Sequence, residues 1–254
     1  MRFIPGEDMT DPTFDCLALE SPRLKAIRRA LIVVAHPNDL ESHCGGTVAR
    51  LIDAGCQVAL VLCTSGDKGS ADPDAQPAEI AVRREREQLE AAAILGIKPV
   101  MFLRWPDGEV ENGRRLRGQI VRQIRWHRPD LVITHDPEHP WPPYTAHRDH
   151  RAVGRATLDA LYPDARDPLF FPEQLAEGLA PHVTPEAWLL MSQRPDLVVD
   201  ISGVFTRKLA ARLAHRSQYT DAEALERSFQ ARAAELGASV GLPLAETFKQ
   251  VRFR

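Results

Sequence analysis

Two short stretches of this chain carry histidines and carboxylates at spacings that suit a metal ion. In AHPND (35–39) an apolar run ends on His36, with Asp39 three residues later; in HRDHR (147–151), His147, Asp149 and His150 fall close together. A further pair, His135 and Asp136, closes another apolar run. A His-x-x-Asp pair joined by one distant His offers two nitrogens and an oxygen. Three protein ligands with a fourth position open are the arrangement of a catalytic rather than a structural site. A divalent metal held there lowers the pKa of water towards ~7, which makes a hydrolytic nucleophile usable near neutral pH. Hydrolysis also needs a proton acceptor. The residue between Pro37 and Asp39 is Asn38, an amide that can hold water by a hydrogen bond but has no basic site near neutral pH.

Each piece alone has a plainer reading. His36 can be a satisfied core histidine or a turn residue, and Asp39 a turn former or the N-cap of the following helix. HRDHR can be a solvated helix start. Gly45 and Gly46 could cradle a phosphate at a helix N-terminus. No G-x-G-x-x-G follows the first strand, however, so a dinucleotide-binding reading ranks last.

The surrounding elements favour the metal. ALIVVAH (30–36) is continuous and β-branched, as a parallel strand buried on both faces should be. GGTVARLIDAG (45–55) is a helix closed by Gly55, and CQVALVLCT (56–64) a second strand. After the polar loop 65–79, a helix over 80–96 ends at Gly96, and PVMFLRW (99–105) is a third strand. A helix over 115–129 and the strand DLVITHD (130–136) complete β-α-β-α-β-α-β, the pattern of a doubly wound, mostly parallel α/β sheet. In such sheets ligands sit outside the carboxyl ends of the strands. His36 and Asp39 follow the first strand, His135 and Asp136 end the fourth, and His147 to His150 lie just beyond it. Residues 165–195 read as irregular, 197–202 as a late strand and 204–218 as a helix. Residues 1–28 read as a loose leader with a short lead-in to the core, and 29–254 as a single domain.

Composition narrows the class. The 254 residues, 44% hydrophobic and 26% charged, suffice for one sizeable core. The formal net charge of −3 supplies no basic field for nucleic acid. No apolar run approaches the ~18 residues of a membrane span. Cys16, Cys44, Cys56 and Cys63 form no C-x-x-C pair; they read as free thiols of a cytoplasmic protein.

AHPND…GG together with HRDHRAVG resembles the AHPDD and HPDH motifs of the LmbE-like, PIG-L-type metal-dependent deacetylases. CTSGDKGS (63–70), Arg84-x-x-Glu87 leading to LG (95–96), PDG (106–108), RPDLVITHDP (128–137), HRSQ (215–218) and AETFKQV (245–251) are also similar to family stretches, in order and over almost the whole chain. The resemblance implies a Rossmann-like fold and zinc-dependent hydrolysis of an N-acyl amide on an amino sugar or related small molecule. It implies His36, Asp39 and His150 as metal ligands. It gives His147 the stabilisation of the oxyanion or protonation of the leaving amine, and Asp149 the orienting of a histidine. Iron(II) is the rival metal, because two His and one Asp also resemble a non-haem iron triad. Assembly into a homo-oligomer stays open.

Two positions depart from the family pattern. Asn38 stands where the general-base Asp is expected, a loss that costs on the order of 10²–10⁴ in rate. Glu41, offset by three residues, is poorly placed to replace it. Arg148 stands for the Pro of HPDH. Arg84, Asp136, Trp141 and Tyr144 are candidate substrate contacts, against plainer roles: an ion pair of Arg84 with Glu87, a turn at Asp136, and loop packing of the aromatics. His43 and His215 read as structural. A pseudoenzyme that binds metal or sugar without turnover is the alternative function.

Overall fold

The run Ala30 to Ala35 holds no polar residue because both of its faces are covered. In the computed structural model, which describes residues 15–17, 21–139 and 146–253, strand β2 (Arg29–Val34) lies inside a sheet. Its side chains alternate between two cores. Ala30, Ile32 and Val34 pack with helices α3 (Gly45–Asp53) and α4 (Pro77–Leu95) through Val48, Leu51, Ala91 and Leu95. Leu31, Val33 and Ala35 pack on the other face, with Leu116, Ile120 and Ile124 of α5 (Arg114–His127) and Val153 and Ala156 of α6 (Arg148–Asp159). Each such side chain contributes about 1.5–3 kcal/mol by leaving water. Two-sided burial therefore turns period-2 alternation into a continuous apolar run.

Strand β3 (Gln57–Thr64) pairs with β2 in parallel, β4 (Val100–Trp105) continues outward, and β5 (Leu131–His135) flanks β2 on its other side. The helix boundaries follow local chemistry. Pro77 opens α4, and Gly96 closes it in a left-handed conformation (φ 89°) that glycine adopts freely. A short helix, α2 (Asp39–His43), precedes α3 and breaks from it at Cys44; the expected helix over 45–55 did not include it.

Beyond β5 the expectations need correction. Residues 165–195 are not irregular throughout. They hold α7 (Pro172–Ala176) and β6 (Glu186–Leu190), which pairs in parallel with β5 and buries Trp188 against Phe248. Strand β7 (Leu197–Asp200) is followed by α8 (Phe205–Leu213), which ends before the single turn Arg216–Gln218. Helix α9 (Ala222–Ala238) had no counterpart in the sequence reading. Strand β8 (Ala245–Arg252) runs antiparallel between β6 and β7, so the sheet is mixed although mostly parallel. Within the supposed leader, β1 (Asp15–Leu17) pairs with β7, and α1 (Pro22–Ala26) buries Leu24. These two described pieces form an edge strand and the lead-in to the core. Among the described residues the order is β1-β7-β8-β6-β5-β2-β3-β4, and no helix is long and apolar enough to cross a membrane.

The four cysteines are free; Cys44, Cys56 and Cys63 are buried and Cys16 is exposed. Burial pushes the Cys56 thiol up to about 12 and raises those of Cys44 and Cys63 well above the ordinary thiol range. Thiolate, not thiol, is the reactive form. A native chain titrated with a chromogenic disulfide at pH 8 should therefore release one thiol, from Cys16, and four only after denaturation. Rapid release of more than one from the native protein would contradict this packing.

Candidate metal centre

The chain leaves β2 towards β3 and β4 on one side and returns to add β5 on the other. Loops at the carboxyl ends of β2 and β5 consequently diverge and open a crevice, the usual ligand position in such sheets. The turn after β2 is closed by its own side chain. The His36 backbone N–H donates to Asp39 Oδ2 (2.8 Å), while Asn38 holds a left-handed φ of 78°. Asparagine is one of the few residues with a side chain to visit that region routinely. The reversal brings His36 and Asp39 side by side; Asp39 is the first residue of α2, not the N-cap of α3.

Three donors meet there. His36 Nδ1 lies 3.3 Å from His150 Nε2 and 3.4 Å from Asp39 Oδ2, and Asp39 Oδ1 lies 3.4 Å from His150 Nε2. A tetrahedron built on bonds of about 2.0–2.1 Å has edges of roughly 3.3–3.4 Å. The His36–His150 pair matches such an edge, Asp39 reaches the two rings through different oxygens, and one donor atom from each of the three lies within 4.8 Å of the others; the trio is compact enough to converge on one cation, and its make-up leaves one position open. His36 and Asp39 are buried, and His150 is partly so. Burial alone would raise the Asp39 carboxyl, but His150, His135 and His36 outweigh it and hold it well below the usual carboxylate range. Asp39 is ionised, as a ligand must be.

His135, which ends β5, supports this set. Its ring stacks on that of His150 at 4.0 Å and 6°, its Nε2 accepts the Ala35 N–H (3.1 Å), and burial beside His150 pushes its pKa down to about 4. A neutral, stacked imidazole fixes the plane of the ligand beside it. The rim position of His135 was legible, but not this task.

The far nitrogen of His36 faces carboxylates: Nε2 lies 3.1 Å from Asp107 Oδ1 and 3.2 Å from Asp149 Oδ2. Such partners orient a metal-binding imidazole and set its tautomer. Burial would lower the His36 pKa; these two carboxylates and Asp39 instead hold it well above its ordinary value. Asp149 is held by the Gly108 and Val110 N–H groups (2.7 and 3.2 Å). Asp107, from the PDG turn after β4, was not singled out in the sequence; its signal was the same strand-end placement. His147 is the N-cap of α6, its Nδ1 accepting the Asp149 N–H at 3.2 Å. That leaves Nε2 to carry the proton. The Asp149 carboxylate is 4.0 Å from His147, so it orients His36 instead. Burial, then the charges of His36 and His150, lower the His147 pKa and outweigh the upward pull of Asp149.

The other candidates separate. Arg84 is buried and donates to the carbonyls of Gly66 (3.0 Å) and Pro37 (2.8 Å), bracing the two loops that border the crevice. It does not hydrogen-bond Glu87, whose carboxylate takes Ser217. Asp136 Oδ1 accepts the Glu138 N–H (2.8 Å), a turn contact at the rim. Arg148 is exposed. Trp141 and Tyr144 lie outside the described residues. The phosphate-cradle reading of Gly45–Gly46 fails for a clear reason. The N–H groups of Gly46 and Thr47 already bind the Glu246 carboxylate (3.0 and 2.7 Å), which Lys208 neutralises at 2.6 Å.

Fold and site together define a metal-dependent hydrolase of the α/β class. Residues 31–161 match the family model described as PIG-L: GlcNAc-PI de-N-acetylase. The chain is 35% identical over 195 residues to the diacetylchitobiose deacetylase of Thermococcus kodakarensis, covering 77% of this chain and 72% of that one. It is 30% identical over 216 residues to a probable N-acetyl-alpha-D-glucosaminyl L-malate deacetylase 2 of Bacillus anthracis, covering 82% and 89%. Among solved structures, the N,N'-diacetylchitobiose deacetylase of Pyrococcus horikoshii superimposes with a TM-score of 0.84 at 31% identity, over 92% of this chain and 87% of that one. This chain belongs to the PIG-L family of metal-dependent N-deacetylases, enzymes that cleave a linear amide.

Helix α6 can bring His150 to the site only because Gly154 lets it touch β5: a Cβ there would lie 2.3 Å from the His135 carbonyl oxygen. Gly154→Ala must push α6 off the strand end. Zinc affinity, measured by chelator competition, should fall on the order of tenfold, together with an overpacking cost of about 1–3 kcal/mol. An unchanged affinity would show that the trio does not depend on this contact.

Proposed function

We propose that this chain is a zinc-dependent de-N-acetylase of GlcNAc-containing sugars whose proton-accepting step is impaired by Asn38. The observation that carries the reading is the convergence of His36, Asp39 and His150 on one point, with Asn38 next to Asp39 in the same turn. The diacetylchitobiose and N-acetylglucosaminyl-malate deacetylases among the relatives support the substrate class. The same trio suits iron(II); zinc is preferred because two His and one carboxylate with an open position are the ligand set of a catalytic zinc site.

When bound, zinc supplies Lewis-acid polarisation of the acyl carbonyl and an acidified water. The remaining work belongs to side chains. Asp107 and Asp149 hold His36 in the tautomer that leaves Nδ1 free. His147, with Nδ1 occupied, donates a hydrogen bond from Nε2 to the oxygen that gains charge, and the departing amine takes up the proton that the hydrolytic water gives up. Asn38 holds water but takes no proton. Arg84 keeps the two bordering loops in place, the second oxygen of Asp136 is left for a sugar hydroxyl, and Trp141 with Tyr144 provides an apolar wall. The buried thiols suit a cytoplasmic enzyme.

A second reading rests on Asn38 alone: a pseudoenzyme that binds zinc and sugar without turnover. Amine release from N-acetylglucosamine oligosaccharides and conjugates, followed for this chain and for Asn38→Asp with either metal loaded, separates the two. The zinc-loaded Asn38→Asp chain should gain about 10²–10⁴ in kcat with zinc affinity nearly unchanged. Equal turnover by both would refute the role of position 38, and silence from both would favour the binding reading. Chelation should abolish whatever activity appears.

A further inference from the structure

Behind the metal-binding turn runs a buried polar chain that no step above employs. Gln88 of α4, Glu41 of α2 and His215, just past α8, are all fully buried (0% exposed). Gln88 Oε1 accepts the backbone N–H of Asn38 at 3.1 Å, and Gln88 Nε2 donates to Glu41 Oε1 at 2.7 Å. The other oxygen of Glu41 lies 3.3 Å from His215 Nε2, and Arg212 supplies a positive charge nearby. Three elements thus converge on one backbone N–H, that of the residue at the proton-accepting position.

Packing alone does not explain this. Apolar side chains of similar volume would fill the space without the cost of burying polar groups, a cost that is larger here because Glu41 Oε2 and both His215 ring nitrogens lack a hydrogen-bond partner among the described residues. What the polar chain adds is direction. Asn38 sits in a left-handed turn (φ 78°), a conformation that needs outside support to persist. Its neighbour Asp39 is anchored separately, through the His36 N–H at 2.8 Å. The metal ligand and position 38 therefore hang from different hooks. The HRSQ stretch holds the outer end: Ser217 donates twice to Glu87 (2.8 and 2.7 Å), and Gln218 donates to the Gly69 carbonyl (3.1 Å).

We infer that Gln88, held by Glu41 and His215, is a positioning residue that sets where the side chain of residue 38 points, independently of metal binding. The inference rests on the proposed role of position 38, so its test has two readouts. In amide exchange followed by NMR, Gln88→Leu should speed exchange of the Asn38 N–H about tenfold, leaving the Asp39 N–H and the zinc affinity as they were. In an Asn38→Asp background, Gln88→Leu should lower kcat roughly ten- to a hundredfold with KM unchanged. Gln88→Glu, nearly isosteric but repelled by Glu41, replaces it if Gln88→Leu does not fold. The double variant Glu41→Gln/Gln88→Glu exchanges donor and acceptor and should restore both readouts. Exchange and kcat both unmoved would overturn the inference, as would a loss of zinc affinity parallel to the loss of kcat. Faster Asn38 exchange in a chain that never turns over would support the positioning and sink the reading of position 38.

Discussion

The carboxylate of Asp39 is the point on which the site depends. Its two oxygens lie 3.3–3.4 Å from nitrogens of His36, His135 and His150, and the His36 N–H closes the turn onto it. One ionised group thus shapes the backbone after β2, fixes two imidazoles as neighbours and supplies the third donor. A buried charge of this kind is stable only when it is surrounded by hydrogen bonds and opposite or polarisable partners. The His36 backbone N–H and the rings of His36 and His150 meet that condition in the protein without metal, and the two rings would be ligands in the protein with it.

Around this centre the other buried charges are kept apart from the chemistry. Glu246, delivered by the antiparallel strand β8, is consumed by the N-terminus of α3 and by Lys208. Arg125 spends its guanidinium on carbonyls of the 164–171 loop beneath α5. Arg84 does the same for the loops beside the crevice. Asp107 and Asp149 serve the site through the far nitrogen of His36. The mixed sheet is therefore more than a variant of the parallel one, because β8 places the anion that an empty helix N-terminus would otherwise draw from solution.

Asn38 gives the turn a second meaning. The left-handed backbone at this position suits asparagine. An amide there offers the neighbouring space an acceptor and a donor but no basic site near neutral pH. On the proposed function, position 38 therefore bears on proton transfer while the ligand trio and its supporting carboxylates are set by other residues.

The sequence by itself determined the sheet strands from 29 to 136, the rim at which His36, Asp39, His135 and His150 would meet, and the donor types available. Those features are legible because two-sided burial leaves continuous apolar runs and because ligands gather at carboxyl strand ends. It did not disclose β6 and β8: PEAWLL sits in proline-rich surroundings, and AETFKQVR alternates too weakly to fix a strand direction. Strand pairing is a property of partners far away in the chain. Nor could it disclose which nitrogen of His36 meets Asp107 and Asp149, that Glu246 fills the glycine-pair helix start, or that Gln88 holds residue 38. Those contacts join residues from 50 to 200 positions apart, and only the packing of helices against the sheet brings them within hydrogen-bond reach.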